Sequence, residues 1–207
     1  MQVPCATRKQ SRTDGEKLLS EEDLRQKWDR RYEQAQQPPD ALEVLVDHVY
    51  LLPAQGTALD LACGLGGSGL CLAENGLQTW AWDQSPVAIE ALQRRSMGLP
   101  LYAEVRDVVA NPPEPERFDV ICVGHFLDRD LCSHISAALR PGGLLFYQTF
   151  VRETVDDSGP GNPNYRLAVN ELPGLFPGLT IRFFRDEGRV GDHARGFRNR
   201  SQLIAQR

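Results

Sequence analysis

Lysine is nearly missing from this chain. Of its 23 basic residues only Lys9, Lys17 and Lys27 are lysines, so everything beyond position 27 carries arginine alone. That excludes a phosphate-loop lysine and a Schiff-base lysine in the folded region. Long apolar runs are also missing. Nothing approaches the ~18 consecutive apolar residues of a membrane span, and the start, MQVPCATRKQSRTDGEK, lacks the apolar stretch of a secretory signal. There is no CxxC, no HExxH and no paired Cys/His spacing, so no metal site is expected. The five cysteines (Cys5, Cys63, Cys71, Cys122 and Cys132) are odd in number, and three sit in apolar runs. They read as free thiols in a reducing cytoplasm. Excess positive charge is absent as well, the net charge being -5 and the pI about 5.4. Nucleic acid is therefore disfavoured as the main partner, and the missing apolar runs leave no membrane expected. The oligomeric state is left open.

What is present suits one domain. The 207 residues are 41% apolar and 25% charged, enough to fill a core. Residues 1–17 are polar and aperiodic and are expected to be mobile, with one domain over 18–207. Ser20 is a good N-cap for a helix carrying Leu24, Trp28 and Tyr32 on one stripe. After Pro38-Pro39, a second helix is expected from about Asp40 to Leu51, with Leu42, Leu45, Val46 and Val49 inward.

The pattern then alternates. Strands are predicted at 57–63, 78–83, 101–108, 118–126 and 143–150. Between them lie a helix stopped by Asn75-Gly76, a helix opened by Ser85-Pro86, and a helix over 131–140. Such alternation means βαβ units and a parallel sheet covered on both faces. Residues 151–169 read as an active-site lid or a poorly ordered loop, with Arg152, Asn162, Tyr165 and Arg166 as candidate substrate contacts. A short helical segment at 170–178 precedes two further strands, 179–187 and 201–206, expected to be antiparallel neighbours.

The strongest chemical signal is LDLACGLGGSG (59–69). It holds Gly64-x-Gly66-x-x-Gly69 between a strand and a helix, where glycines let the backbone approach a ligand. Asp83 closes the next strand, where a carboxylate can accept two hydrogen bonds from ribose hydroxyls. These features read as binding of an adenosine-type ligand. By themselves they do not separate a nicotinamide dinucleotide from S-adenosylmethionine.

In combination they resemble class I S-adenosylmethionine-dependent methyltransferases. Asp60-Leu61-Ala62-Cys63-Gly64-x-Gly66 is similar to that family's first motif, and Asp83-Gln84-Ser85 to its ribose-binding acidic loop. Asp107-Val108 stands where the family places an acidic residue near the adenine. Phe118-Asp119-Val120-Ile121 resembles its fourth strand, and LRPGGLLFYQTF (139–150) its fifth. The resemblance implies an α/β fold: a Rossmann-like, seven-stranded, mostly parallel sheet with helices on both faces and an antiparallel last strand. It implies S-adenosylmethionine as cofactor, held by Asp60, Ala62, Cys63, Gly64, Gly66, Asp83, Gln84, Ser85, Asp107, Val108 and Gly124.

Within that class the likeness runs to small bacterial tellurite-resistance (TehB) and thiopurine S-methyltransferase types, through SEEDLRQKWDRRY (20–32). The segment 18–52 would then cap the cofactor site, with Trp28 and Tyr32 covering the cofactor and Arg30 or Arg31 pairing its carboxylate. His125, beside the expected methyl position, and His193 are the candidate catalytic groups. The expected activity is methyl transfer to a small thiol, chalcogen oxyanion or similar nucleophile. A protein acceptor, or a non-catalytic cofactor-binding protein, is the alternative. Asn111-Pro112-Pro113 looks like the NPPY motif of base and amide methyltransferases, but it precedes the fourth strand instead of ending it and reads as a chance loop.

Overall fold

The computed structural model describes residues 21–35 and 40–207. The expected Ser20 cap and the mobile segment 1–17 lie outside them, as do Pro38-Pro39 and the side chain of Leu24. Seven strands form one sheet: β1 (Thr57–Leu61), β2 (Gln78–Asp83), β3 (Leu101–Val105), β4 (Phe118–Gly124), β5 (Leu139–Phe150), β6 (Thr180–Arg185) and β7 (Arg200–Gln206). Their order is β3-β2-β1-β4-β5-β7-β6. All neighbours are parallel except β7, which runs antiparallel to both β5 and β6. The expected fold is the observed one, and the predicted antiparallel pair is β6–β7.

Side chains alternate between two buried layers, as the pleat requires. Leu59, Leu61, Ile121, Val123, Leu145 and Tyr147 face a cluster shared with Leu131 and Ile135 of α5 (Leu131–Ala138). Ala58, Val120, Cys122, Phe146 and Ile204 face the other way. They meet Val44 and Leu45 of α2 (Glu43–Val46) and Leu72 of α3 (Gly67–Glu74). Burial on both faces explains why these strands read as continuous apolar runs. α4 (Pro86–Arg95) starts as expected: Ser85 is its N-cap, accepting from the Ala88 N–H, and Pro86 its first residue.

Several expected boundaries move. The helix foreseen over 40–51 is only α2, followed by a 3-10 turn at Val49–Leu51. Val44 takes the buried position expected of Val46, which is 51% exposed. The Val44 N–H donates to Gln148 Oε1 in β5, fixing that turn on the sheet. β3 and β4 end at Val105 and Gly124, short of the predicted 108 and 126. β5 starts at Leu139, before Pro141-Gly142, because Leu139 pairs with Phe118 across a register shift. Arg106 donates to the carbonyls of Asn111 and Pro112, so the Asn-Pro-Pro stretch is a clamped loop ahead of β4.

The segment 151–169 is irregular apart from a turn at Pro163–Tyr165 and a bridge between Val151 and Leu167, yet several of its backbone carbonyls accept side-chain hydrogen bonds. The Arg166 guanidinium donates to the carbonyls of Pro160, Val151 and Ser158. Arg198 does the same for the β6–β7 connection, reaching Glu187, Gly188, Val190 and Asp192. Five-donor guanidinium groups thus do for these loops what a ladder does for a strand. A last short helix, α6 (Glu171–Gly174), precedes β6. Among the described residues no helix is long and apolar enough to cross a membrane, and no group of three His, Cys, Asp or Glu could hold a metal ion.

Candidate active site

The sheet order reverses between β1 and β4, which opens a crevice at their carboxyl ends. The candidate residues converge on it. β1 leads into the glycine run, and β1 and β2 are tied by the Cys63 N–H donating to the Trp82 carbonyl (3.0 Å). Asp60 is buried beneath the run and accepts the Gly69 N–H at 2.7 Å, a carboxylate at the N-terminus of α3. Asp83 accepts the Gly64 N–H at 2.8 Å through one oxygen and the Ser85 N–H at 2.9 Å through the other. A carboxylate offers about four lone-pair sites, so two remain for ribose hydroxyls.

Gly66 caps α3 at φ 79°, and a Cβ there would lie 2.5 Å from the Leu92 side chain. At Gly64 a Cβ would lie 2.9 Å from the Tyr32 hydroxyl. Both glycines are required by close approach, the condition for a backbone that cradles a ligand. Arg95 of α4 donates to the Leu65 carbonyl and braces the run from outside. Two residues without glycine's freedom adopt left-handed backbone here: Ala62 after β1 and His125 after β4, both at φ 54°. Such conformations cost about 1–3 kcal/mol each and cluster at functional sites.

α1 (Glu21–Glu33) lies over this crevice. Trp28 and Tyr32 stack at 5.8 Å, and the Arg31 guanidinium sits 5.3 Å from the Trp28 ring. Asp29, on the same helix, accepts the Ser85 hydroxyl. Gly124 ends β4 where a Cβ would lie 2.8 Å from Leu42, so the chain entering α2 closes the far wall.

The other expected residues are placed less centrally. Asp107 Oδ1 accepts the N–H groups of Val109 and Ala110, shaping the turn after β3. Val108 is buried in the core with Trp82 and Leu61. Gln84 is half-buried between Asp83 and Ser85. His193 is exposed in the β6–β7 connection, with Nε2 at 2.6 Å from the Arg189 carbonyl. Arg152 donates to the Pro163 carbonyl, and Asn162 caps the Asn164 N–H, so neither these nor Arg166 presents its main hydrogen bonds to the crevice.

Burial sets the protonation of this region. Desolvation and the neighbouring Arg200 and Arg31 push the His125 imidazole down to about 4, although the residue retains an exposed surface at the mouth. Desolvation drives Tyr32 and Cys63 up, with nearby Asp83 and Asp60 adding to the effect, so both stay protonated at neutral pH. Asp83 is also raised by burial and by the nearby Asp29, against the N–H groups of Ser85, Gly64 and Gln84 that favour its charge. Asp60 is raised to about 7, burial outweighing its bond from Gly69. A carboxyl raised in the fold contributes stability below its unfolded value of ~4 and loses it as pH rises through the folded value. Asp60→Asn should therefore flatten the decline in stability between about pH 4 and 7 relative to the parent protein. Urea unfolding at pH 4.5, 6 and 7.5 reads this directly, and parallel curves for both proteins would refute it.

Sequence reasoning missed Asp29, Arg95 and Arg200. Arg200 had no signal, because its place beside His125 depends on the β5–β7 register pairing it with Phe150. Asp29 had a weak one. It falls on the Trp28–Tyr32 side of the helix, where a carboxylate needs a partner.

Residues 58–143, from β1 into β5, match a protein-family profile described as a methyltransferase domain. No curated protein sequence matches significantly. Among solved structures, a protein described by the conversion of a disulfide bond into a thioacetal group during echinomycin biosynthesis is 21% identical. That match covers 89% of this chain and 92% of that one, with a TM-score of 0.67. TehB from Haemophilus influenzae is 21% identical over 87% of this chain and 67% of its own, with a TM-score of 0.63. Geranyl diphosphate C-methyltransferase from Streptomyces coelicolor A3(2) is 16% identical over 80% and 76%, with a TM-score of 0.61. These three share the fold. The chain carries a methyltransferase domain on that fold and is an enzyme of the methyltransferase kind. Its cofactor is S-adenosylmethionine, and the glycine run beside the Asp83 carboxylate fits an adenosine-bearing ligand.

Proposed function

We propose that this enzyme methylates a small molecule whose nucleophilic atom arrives already ionised, a thiolate or chalcogen oxyanion. The observation that carries this reading is the lack of a strong base at the crevice among the described residues. His125 is neutral at pH 7 but, at about 4, too weak to take a proton from a phenol or an amine. Tyr32 and Cys63 are held protonated, and Asp60 is occupied by the Gly69 N–H.

When bound, S-adenosylmethionine supplies a methyl group activated by its sulfonium. The protein's task is then to align and to exclude water. In this reading Asp83 receives the ribose hydroxyls, and Ala62, Cys63, Gly64 and Gly66 form the floor. Gln84, Ser85, Asp107 and Val108 border the adenine side. Trp28 and Tyr32 cover the cofactor, and Arg31 faces its carboxylate. Gly124 and His125 line the methyl position, with His125 as a neutral wall. His193 has no part.

Two features support a small acceptor with negative charge. Arg31 and Arg200 both act on His125 and make the mouth positive. Arg200 also pairs with Glu43, which holds its guanidinium beside the entry to α2. The neighbour that converts a disulfide to a thioacetal works on sulfur, and the one bound to geranyl diphosphate works on a small anion.

Turnover of methyl-labelled S-adenosylmethionine against thiols, selenite and tellurite tests the proposal. For a thiol series, kcat/KM should rise with pH along each acceptor's own thiol pKa. His125→Gln should cost under about 100-fold, less than the 10²–10⁴ typical of a lost general base, and should leave that pH midpoint in place. A midpoint that moves with the substitution would make His125 the base. Labelling of a protein acceptor alone, or no turnover with intact cofactor binding, would favour the two alternatives.

A further inference from the structure

We infer that Asp29 is a positioning residue: through Ser85 it latches α1 onto the ribose-binding loop, so that closure over the cofactor is tied to the geometry of that loop. The inference rests on S-adenosylmethionine being bound at Asp83. The hydroxyl of Ser85 does two things at once. It accepts the Ala88 N–H as the cap of α4, and it donates its proton to the Asp29 carboxylate. A helix cap needs only the acceptance, so the donation is free to serve another segment. The next link runs through the backbone, since the Ser85 N–H donates to Asp83 Oδ1 at 2.9 Å and the Gly64 N–H to Asp83 Oδ2 at 2.8 Å. One helical turn beyond Asp29, the Tyr32 hydroxyl rests against Gly64. α1 is thus fastened at both ends of the same carboxylate, once to the loop after β2 and once to the loop after β1.

The cost of the arrangement argues that it has a purpose. Asp29 lies close enough to Asp83 for the two charges to repel in a largely desolvated place. A residue needed only for helix solubility would sit on the outer face with Arg25 and Lys27, which are exposed. Here the carboxylate is half-buried on the side of Trp28 and Tyr32. Those two rings stack on each other, so a helix fixed at Asp29 sets both aromatic groups over the crevice together. Arg31, whose guanidinium sits over the Trp28 ring, shares that placement.

The test uses the full chain with Asp29→Ala and Asp29→Asn. Alanine removes the acceptor, whereas asparagine keeps an oxygen at the same reach. Hydrogen bonds to a charged group support an effect of about tenfold. With Asp29→Ala, S-adenosylhomocysteine should leave about tenfold faster in stopped flow, and KM for S-adenosylmethionine should rise by a similar factor with a much smaller change in kcat. Tryptic cleavage after Arg30 and Arg31 without ligand should also speed up about tenfold. Asp29→Asn should restore all three to within about threefold of the parent protein. Unchanged release and unchanged cleavage in the alanine variant would overturn the latch, as would equal damage in both variants. If the parent protein fails to bind S-adenosylhomocysteine, the cofactor assignment falls instead. The cleavage rates, which need no ligand, then still decide whether Asp29 holds α1.

Discussion

Replacing Asp83 by alanine should lower affinity for S-adenosylhomocysteine by about 100-fold or more, the combined value of two charge-assisted hydrogen bonds. The carboxylate is buried and already oriented by the Gly64 and Ser85 N–H groups, so a ligand bound there meets an acceptor that needs no further ordering. Alanine also strands those two N–H groups, which complicates its interpretation. Asp83→Asn keeps one acceptor oxygen and should lose about tenfold instead. Calorimetry with S-adenosylhomocysteine and NADH in parallel, with a thermal melt of each variant, separates binding from folding. Undiminished affinity in a folded Asp83→Ala protein would remove the ribose role. Binding of NADH alone would return Gly64, Gly66 and Asp83 to a dinucleotide site.

The largest stability effect is expected at Gly66. Alanine there meets two penalties: a left-handed backbone at φ 79° and a Cβ 2.5 Å from the fully buried Leu92. The backbone term is about 1–2 kcal/mol, and forced repacking adds about 1–3 kcal/mol. Gly66→Ala should therefore destabilise the protein by roughly 2–5 kcal/mol in denaturant unfolding. Gly98 provides the control, with φ 88° but nothing within 4 Å of an added Cβ. Gly98→Ala should show only the backbone term. Equal losses at the two positions would mean that the Leu92 contact is easily relieved, and that the run is not packed tightly against α4.

Where local chemistry and burial agreed, the sequence could be read. β2 ends at Asp83 as expected, and Ser85-Pro86 opens α4, because capping and a fixed proline φ act within three residues. The glycine run was legible for the same reason. The second helix was not. Leu42, Leu45, Val46 and Val49 mimic helical spacing, but Val44 is drawn inward by Gln148, a contact across 104 residues. No local pattern carries that information, and tertiary packing overrode the periodicity. The loop 151–169 looked like a candidate lid because polar residues with Gly and Pro signal irregularity. What they do not signal is that Arg166 would satisfy three of its carbonyls. Asp29 was hidden similarly: its meaning depends on Ser85, 56 residues away.

The arginine-only composition beyond position 27 has a practical counterpart. The sheet, the helices from α2 onward and the loops around the crevice offer no side-chain amine at all. Lys27, exposed on α1 next to Trp28, is the one lysine among the described residues. Amine-directed cross-linkers, dyes and surface couplings will therefore attach to the N-terminal part of the chain and leave the catalytic body unmodified. A fluorophore placed there would ride on α1, the helix that lies over the crevice. Immobilisation through lysine would tether the enzyme by that same segment, and coupling through an engineered cysteine on the body is the safer route for binding measurements on a surface.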